Sequence, residues 1–239
     1  MTEYHNALGQ PIGFPVEGWT ERPRPPRTAI EGHHCRVEPI EPTRHAADLH
    51  AANREDARDR IWSYLPYGPF ETLDDYRAWM EATCLGDDPL FHAIVDAKTE
   101  KAVGVASYLR IEPPVGVIET GHINYAPRLQ KTAAATEAMF LMMRRVFDEL
   151  GYRRYEWKCD ALNAGSRAAA ERLGFTFEGV FRQATLYKGR NRDTAWYAIT
   201  DGDWPAIKTA FERWLADANF DADGRQRESL SVLTMAARG

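Results

Sequence analysis

The sequence predicts an α/β protein of the α+β kind, with a mixed, mostly antiparallel central sheet flanked by helices. Three observations support this fold class. Apolar residues alternate in short stretches between residues 91 and 125, separated by polar turns, which is typical of an antiparallel meander. An Ala-rich helical pattern follows at residues 133–150. A strand, a second helical pattern, two closing strands and a last amphipathic helix complete the prediction.

The composition is that of an ordinary globular protein. A length of 239 residues fits one domain with extensions, and a net charge of −5 argues against nucleic acid as a partner. No apolar run approaches the length of a membrane span, and the N-terminus lacks a signal-peptide pattern. Cys35, Cys84 and Cys159 are far apart and have no metal-site spacing. We therefore expect a reduced, cytoplasmic protein that binds neither membrane nor metal.

Composition divides the chain into three parts. Residues 1–32 are predicted to form a Pro-rich arm, because proline fixes φ and removes hydrogen-bond donors. Phe14 and Trp19 favour an arm that docks on a surface. Residues 33–218 are predicted to form a single domain, and residues 219–239 a polar, partly loose tail.

The first half of the domain contains two helices and most of the meander. A strand is expected at residues 35–40, then a helix capped by Thr43. A second helix begins after Thr72, where Asp75 completes a capping-box-like spacing. Three antiparallel strands follow, at residues 91–95, 103–111 and 117–125.

The strongest helix is predicted at residues 133–150, with apolar residues along one stripe and Gly151 at its end. A strand follows, and Asn163 then starts a helix that Gly174 stops. The closing strands are expected at residues 177–187 and 194–199, joined by a polar loop, and the last helix is capped near Asp203.

Two helix starts, each preceded by a strand, indicate a ligand site. The turn at residues 130–138 is built from small residues and leads directly into a helix, and Asn163 begins the second one. A helix N-terminus has unpaired N–H groups and a partial positive charge, which favours a phosphate. The two starts together predict a site for an extended phosphorylated cofactor.

These two segments resemble the GNAT superfamily of N-acyltransferases. Gln130 and Ala135 match the first and last positions of its acyl-CoA-binding signature, although Ala133 stands where the family usually has Gly. The segment from Asn163 to Phe175 resembles the family's later Asn-to-Gly-Phe segment. The resemblance covers roughly residues 33–200. It is strongest to the branch that acetylates ribosomal-protein N-termini, with its uncharacterised relatives.

The resemblance implies a site for acetyl-CoA, or another acyl form of coenzyme A. The turn into the first helix would hold the pyrophosphate, Asn163 the pantetheine arm, and strand N–H groups the thioester carbonyl. The cofactor-binding residues implied in this way are Ile123, Tyr125, Gln130, Lys131, Thr132, Ala133, Ala134, Ala135, Thr136, Asn163 and Ser166.

Acyl transfer also needs a proton donor for the departing sulfur and a base for the attacking amine. Many members of the family place a Tyr near the Gly-Phe pair, but Ala170 holds that position here. Ser166 matches the serine of the ribosomal-protein branch and is the candidate acid. Glu119 is the candidate base, and His122 is its rival because imidazole titrates near neutrality.

The acceptor side is predicted from an aromatic loop between the first two helices. Trp62, Tyr64 and Tyr67 are its candidate substrate-binding residues. The loop at residues 188–193 carries three cations. They suit an anionic substrate, the ribose phosphate of the cofactor, or a solvated hairpin tip.

The resulting prediction is an N-acetyltransferase that acts on a primary amine of a small molecule or a protein N-terminus, by direct attack in a ternary complex. A non-catalytic acyl-CoA sensor, a transferase using succinyl-CoA and a scaffold acting through the Pro-rich arm are the alternatives. The sequence leaves open whether the protein forms a homodimer.

Overall fold

A computed structural model describes residues 3–237, which form ten strands and six α-helices. The strands are β1 (Tyr4–His5), β2 (Pro11–Ile12), β3 (Ile30–Glu31), β4 (Cys35–Pro39), β5 (Leu90–Asp96), β6 (Ala102–Glu112), β7 (Val117–Tyr125), β8 (Arg154–Asp160), β9 (Thr176–Tyr187) and β10 (Arg190–Thr200). The helices are α1 (Pro42–Asn53), α2 (Leu73–Thr83), α3 (Ala133–Arg144), α4 (Ala164–Arg172), α5 (Trp204–Leu215) and α6 (Leu230–Ala236).

Eight strands form one sheet in the order β3-β4-β5-β6-β7-β8-β10-β9, and β1 pairs with β2 in a separate hairpin. Every pairing in the sheet is antiparallel except that of β7 with β8. The predicted fold class, a mixed and mostly antiparallel sheet flanked by helices, is therefore confirmed. One sheet face packs on α1 and α2, and the other packs on α3, α4 and α5.

The sheet is split between β7 and β8. Their parallel pairing runs from Val117 opposite Arg154 to Thr120 opposite Trp157, and it stops there. The rest of β7 stays paired with β6 alone, with Tyr125 opposite Gly104. Because the two parallel strands separate in the middle of the sheet, backbone groups at the end of β7 are left facing an opening.

The start of α3 is fixed to the sheet by a buried carboxylate. Glu137 accepts hydrogen bonds from the backbone N–H groups of His33, His34 and Cys35, at 2.9, 2.6 and 2.9 Å. A Cβ at Gly32 would lie 2.5 Å from the same carboxylate, so a larger residue there would displace it. Three charge-assisted bonds hold the first turns of α3 beside β4.

The N-terminal arm lies against the domain. The indole Nε1 of Trp19 donates to the carbonyl of Pro114 at 2.8 Å, and its ring lies under the guanidinium of Arg22. Arg145 donates to the carbonyls of Thr28 and Ala29. These contacts place residues 19–29 along the outer side of the sheet and α3.

Several segments differ from the sequence expectations. Glu41, not Thr43, is the N-cap of α1, and the helix predicted to reach residue 150 is α-helical only to Arg144 and continues as a π-helix at Arg145–Glu149. The polar run at residues 188–193 forms a two-residue turn followed by the start of β10, because an edge hairpin lets polar side chains face solvent. The tail expected to be loose contains α6, in which Ser229 caps the helix and Leu230 and Thr234 are fully buried. Within residues 3–237, no helix combines the length and apolar character needed to cross a bilayer.

Candidate functional site

A cleft of about 1200 Å³ opens at the split in the sheet. The end of β7, the N-termini of α3 and α4, and the C-terminal segment around Phe220 surround it. The indole of Trp214 lies at one wall, where its Nε1 donates to Gln226 at 2.7 Å. The cleft therefore brings together two strand-fed helix starts that are 30 residues apart in sequence, at Ala133 and Asn163.

The turn into α3 is a capped helix start. Thr132 is the N-cap, and its hydroxyl accepts from the N–H of Ala135 at 3.1 Å while donating to the carbonyl of Leu129 at 2.6 Å. Lys131 has a φ of +62°, which turns the chain sharply into the helix. Since Thr132 satisfies one amide of the first turn, the neighbouring amides of Ala133 and Ala134 are those left for an anion.

A cation from α4 reaches the same helix start. Arg172 donates from Nη1 to the hydroxyl of Thr136 at 3.1 Å, and its guanidinium lies 5.2 Å from the ring centre of Trp214. Burial lowers the pKa of Arg172 from its usual value, although an arginine remains charged at neutral pH. No motif in the sequence singled out Arg172. Helix periodicity gave a signal, because Arg172 follows the cleft-lining Ala168 and Ala169 by four and three positions.

The start of α4 carries two candidate residues in direct contact. The side-chain oxygen of Asn163 accepts from the N–H of Ser166 at 3.1 Å, so Asn163 is the N-cap. The hydroxyl oxygen of Ser166 accepts from the indole Nε1 of Trp157 at 2.9 Å. The Asn163 amide nitrogen is left available to a ligand in the cleft. The Ser166 hydroxyl also interacts with the thiol of Cys159, where it opposes the rise in the Cys159 pKa that burial causes.

The two candidate bases lie on the other face of the sheet, the one that packs on α1 and α2. Glu119 is 3% exposed and forms ion pairs with Arg110 at 2.8 Å and with Lys158 at 2.9 Å. Burial raises the pKa of Glu119 from its usual value, while the two cations oppose that rise. The cations stabilise the carboxylate form of Glu119.

His122 lies where β7 leaves β8, with a φ of +50°. Its Nδ1 is 3.2 Å from the hydroxyl of Tyr67, and the two rings stack with centres 5.7 Å apart. Burial, together with the charges of Arg110 and Arg192, lowers the pKa of His122 to about 4. The imidazole is therefore neutral at pH 7 and can accept a hydrogen bond.

The aromatic loop forms a cover beside His122. Lys188 donates to the carbonyl of Trp62 at 2.9 Å, Arg190 donates to the carbonyl of Ser63 at 3.0 Å, and the Tyr64 hydroxyl donates to the carbonyl of Leu162 at 3.2 Å. These bonds tie the loop to the β9–β10 turn and to the start of α4. Two of the three predicted cations therefore bind backbone carbonyls.

The structure separates the predicted residues into two groups. Ten of the eleven predicted cofactor-binding residues line the cleft, and Ala134 is the exception, since its side chain is 6% exposed within the core. Glu119, His122, Trp62, Tyr64 and Tyr67 do not line the cleft and belong to the opposite side of the split. Residues near the C-terminus that border the cleft, such as Phe220 and Gln226, had no signal in the sequence.

Metal-binding residues do not gather anywhere in residues 3–237: no group of three or more His, Cys, Asp and Glu side chains is positioned to hold a metal ion. The polar atoms that the cleft offers are instead helix N–H groups, hydroxyls, an amide and a guanidinium. This donor set fits an elongated, phosphate-bearing molecule, as coenzyme A is.

A split sheet with a cleft between two helix N-termini defines an acyl-CoA-dependent acyltransferase fold, and comparisons with known proteins agree. The family model described as an acetyltransferase (GNAT) domain matches residues 35–176. The chain therefore belongs to the GNAT acetyltransferase family, whose members use acetyl-CoA, and the resemblance stated from the sequence is confirmed.

Solved structures give the same result. A GCN5-related N-acetyltransferase from Brucella melitensis is 44% identical, with a TM-score of 0.90 over 92% of this chain and 100% of its own. A probable GNAT-family acetyltransferase from Chromobacterium violaceum is 41% identical, with a TM-score of 0.76 over 82% of this chain and 98% of its own.

A more distant structure shares the fold. A putative ribosomal-protein-serine acetyltransferase from Vibrio cholerae is 19% identical, with a TM-score of 0.63 over 72% of this chain and 97% of its own. Among proteins of curated function, none matches this chain in sequence.

Proposed function

We propose that this protein is an N-acetyltransferase that moves the acetyl group of acetyl-CoA to a primary amine by direct attack within a ternary complex. The cleft at the split of the sheet supports this proposal most strongly. It runs past two helix N-termini and Arg172 to the end of β7 that has no partner in β8, and the candidate bases lie on the opposite face of β7.

The cofactor residues divide the binding task. The first-turn amides of α3, with Thr136 and Arg172 beside them, bind the pyrophosphate. Asn163 uses its oxygen to cap α4 and its amide nitrogen to bind the pantetheine arm. The backbone of Ile123 and Tyr125 lines the cleft where β7 has no partner in β8, and it polarises the thioester carbonyl.

Ser166 acts as the acid. Its oxygen accepts from the donor-only indole of Trp157, so the hydroxyl proton points to another acceptor. A thiolate that forms in the cleft as the C–S bond breaks is that acceptor, and protonation there completes departure of the thiol.

Glu119 acts as the base, directly or through water, because burial raises its pKa and so strengthens it as a base, while its two cations oppose that rise and favour the ionised carboxylate. The neutral His122 then positions the amine by accepting one of its N–H groups. The two roles differ in their pH signatures: Glu119→Gln should remove the ascending limb of the kcat profile, whereas His122→Asn should mainly raise KM for the acceptor.

The partner in this proposal is an amine-bearing small molecule or a protein N-terminus. Nucleic acid and membrane have no role in it, and Cys35, Cys84 and Cys159 are free and buried, as suits a cytoplasmic protein. A homodimer is compatible with the proposal.

The test is a matrix of acyl donors and acceptors on the purified full chain. Acetyl-CoA with small amines and with peptides should release free thiol in proportion to acetylated product. If calorimetry detects coenzyme binding but no turnover occurs, the acyl-CoA sensor is favoured. A preference for succinyl-CoA would identify succinyl-CoA as the acyl donor in place of acetyl-CoA. Absence of binding to every form of coenzyme A would contradict the whole proposal.

A further inference from the structure

The side chain of Arg192 has no partner. Within residues 3–237 its guanidinium makes no hydrogen bond or ion pair, and its Nε is buried away from solvent. Arg192 as a whole is partly exposed, but a buried donor atom such as its Nε is costly to leave without a partner, and buried polar groups in native proteins are generally paired. Such a group next to a candidate site indicates that its partner is a ligand.

Strand register places Arg192 at the mouth of the split, which is the opening between the ends of β7 and β8. Trp196 lies opposite Lys158 and Thr194 lies opposite Asp160, the last residue of β8. β10 continues from Thr194 past the end of β8 to Arg192, which lies opposite Thr185 of β9, and the β9–β10 register shifts between Thr194 and Arg192. The charge of Arg192 contributes to lowering the pKa of His122, after burial and the charge of Arg110.

The neighbouring cations are already occupied. Arg110 and Lys158 bind the carboxylate of Glu119, and Lys188 and Arg190 bind the carbonyls of Trp62 and Ser63. Of these five cations on the acceptor side, Arg192 alone has all its donors free within the described chain. Lys188, Arg190 and Arg192 form no ion pair there, because the nearby carboxylates of Asp160 and Asp193 accept hydrogen bonds from Tyr187, Gln183 and Asn191.

The mouth is also partly covered. Hydrogen bonds from Lys188, Arg190 and Tyr64 tie the aromatic loop to the β9–β10 turn and to the carbonyl of Leu162. An extended polypeptide crossing this face would have to displace these bonds. A small acceptor that enters beside Tyr67 and His122 would leave them in place.

We propose that Arg192 binds a carboxylate on the acceptor, and that the acceptor is a small molecule bearing both a primary amine and a carboxylate. This inference rests on the proposed function. A guanidinium binds a carboxylate through two parallel hydrogen bonds, which orients the acceptor as well as attracting it. With the carboxylate at Arg192, the amine of the same molecule reaches the side of the split where His122 lies.

The transfer itself balances without another reactant. The ammonium of the acceptor loses one proton to the base, and its nitrogen then forms the C–N bond to the acetyl carbon. The C–S bond breaks, and the sulfur leaves as the thiol with one proton. The nitrogen loses its second proton as the amide forms, and this proton replaces the one that Ser166 gives to the sulfur, so the net release is the single proton taken by the base. The carboxylate at Arg192 is unchanged throughout.

The experiment compares amino acids with their own primary amides, in a series that spaces the amine one to five carbons from the carboxylate. The full-length protein, Arg192→Gln, Arg192→Lys and Arg182→Gln are assayed by thiol release and product mass. Arg182 is the matched control, because it is an exposed arginine of the same hairpin. Acetyl-CoA affinity is measured by calorimetry for every variant.

For the wild type and Arg182→Gln, kcat/KM for the best amino acid should exceed that for its amide by about 10- to 100-fold, as expected for a charge-assisted bidentate contact. Arg192→Gln should remove this preference by weakening use of the acid while leaving use of the amide and the affinity for acetyl-CoA unchanged. Arg192→Lys should keep part of this preference, because a lysine retains the positive charge but cannot form two parallel hydrogen bonds to a carboxylate.

Equal use of acids and amides by the wild type would overturn the inference, as would equal loss of both in Arg192→Gln. If Arg192→Gln changed only the preference between acetyl-CoA and succinyl-CoA, Arg192 would contact the acyl donor and not the acceptor. If peptides or neutral amines are acetylated and amino acids are not, this inference fails while the proposed function stands. If no acceptor in the series is used, the inference also fails, and coenzyme binding separately decides the proposed function.

Discussion

The indole Nε1 of Trp157 donates a 2.9 Å hydrogen bond to the hydroxyl oxygen of Ser166. This contact joins the last residue of β8 that pairs with β7 to the first turn of α4, and it occupies one acceptor position of the serine oxygen. Because an indole nitrogen only donates, the oxygen of Ser166 accepts and its proton is directed to a different atom. The position of the candidate acid is therefore set by the sheet as well as by its own helix.

Replacing Ser166 with alanine should lower kcat with acetyl-CoA by about 100-fold, at the low end of what a positioned general acid contributes. The KM for acetyl-CoA should change little, since Ser166 acts on the leaving sulfur. Steady-state kinetics with Ser231→Ala as a control, a serine of α6, tests this. Full turnover by Ser166→Ala would remove Ser166 from the mechanism and leave the fold assignment intact.

Replacing Arg172 with glutamine should weaken coenzyme A binding by about 10- to 100-fold, because a charged donor beside the helix start is lost. Titration calorimetry at two salt concentrations checks both the loss and its electrostatic origin, since added salt should narrow the difference from wild type. The control is Arg77→Gln on α2, which pairs only with Asp74 at 3.5 Å. An unchanged dissociation constant for Arg172→Gln would show that Arg172 does not contribute to coenzyme A binding and serves only to pack against Trp214.

Thr132 and Thr72 provide a matched pair of helix caps. Each hydroxyl accepts from the third amide of its helix at 3.1 Å, in α3 and α2 respectively. Threonine-to-alanine changes at both positions should cost about 1 kcal/mol each, or about 2–4 °C in Tm for a protein of this size. Only Thr132→Ala should also weaken coenzyme A binding, because its cap shapes the anion-binding turn. Equal affinities in the two variants would contradict a cofactor role for that turn.

His92 should make the fold sensitive to acid. It is fully buried, and both its ring nitrogens lack hydrogen-bond partners within the described chain. Burial lowers the pKa of His92 from 6.5 to about 4, so the unfolded chain binds more protons between these values. The stability from a neutral His92 is complete above pH 6.5 and is lost as the pH falls to about 4, by a total of about 3 kcal/mol.

A His92→Leu variant should therefore show a shallower loss of unfolding free energy between pH 6.5 and pH 4.5. Urea titrations at both pH values measure it, with substitution of the exposed His5 as the control. His122 contributes with the same sign and remains in both proteins. An identical pH slope in wild type and His92→Leu would show that His92 is protonated without cost in the folded state.

Local patterns in the sequence were enough to predict the positions of the two helix starts that border the cleft. Asn163 caps its helix as predicted, because capping depends on a side chain and an amide three residues away. Thr132 caps α3 in the same way, although its hydroxyl was not predicted to do so. The alternation at residues 117–125 likewise identified β7. These features depend on contacts within a few residues, which a single sequence displays.

Long-range contacts decided the rest. Ala134 faces the core, Arg172 reaches Thr136, and α6 packs beside the cleft because separate elements meet there. The unpaired state of Arg192 is also a tertiary property, since it depends on which neighbouring groups already have partners. By itself, the sequence determined the class of fold and the two helix starts that border the cleft, because each is encoded by residues close together in the chain. Which side chains meet at the split was decided by tertiary packing, because periodicity assigns a residue to a face and does not identify its neighbours across the sheet.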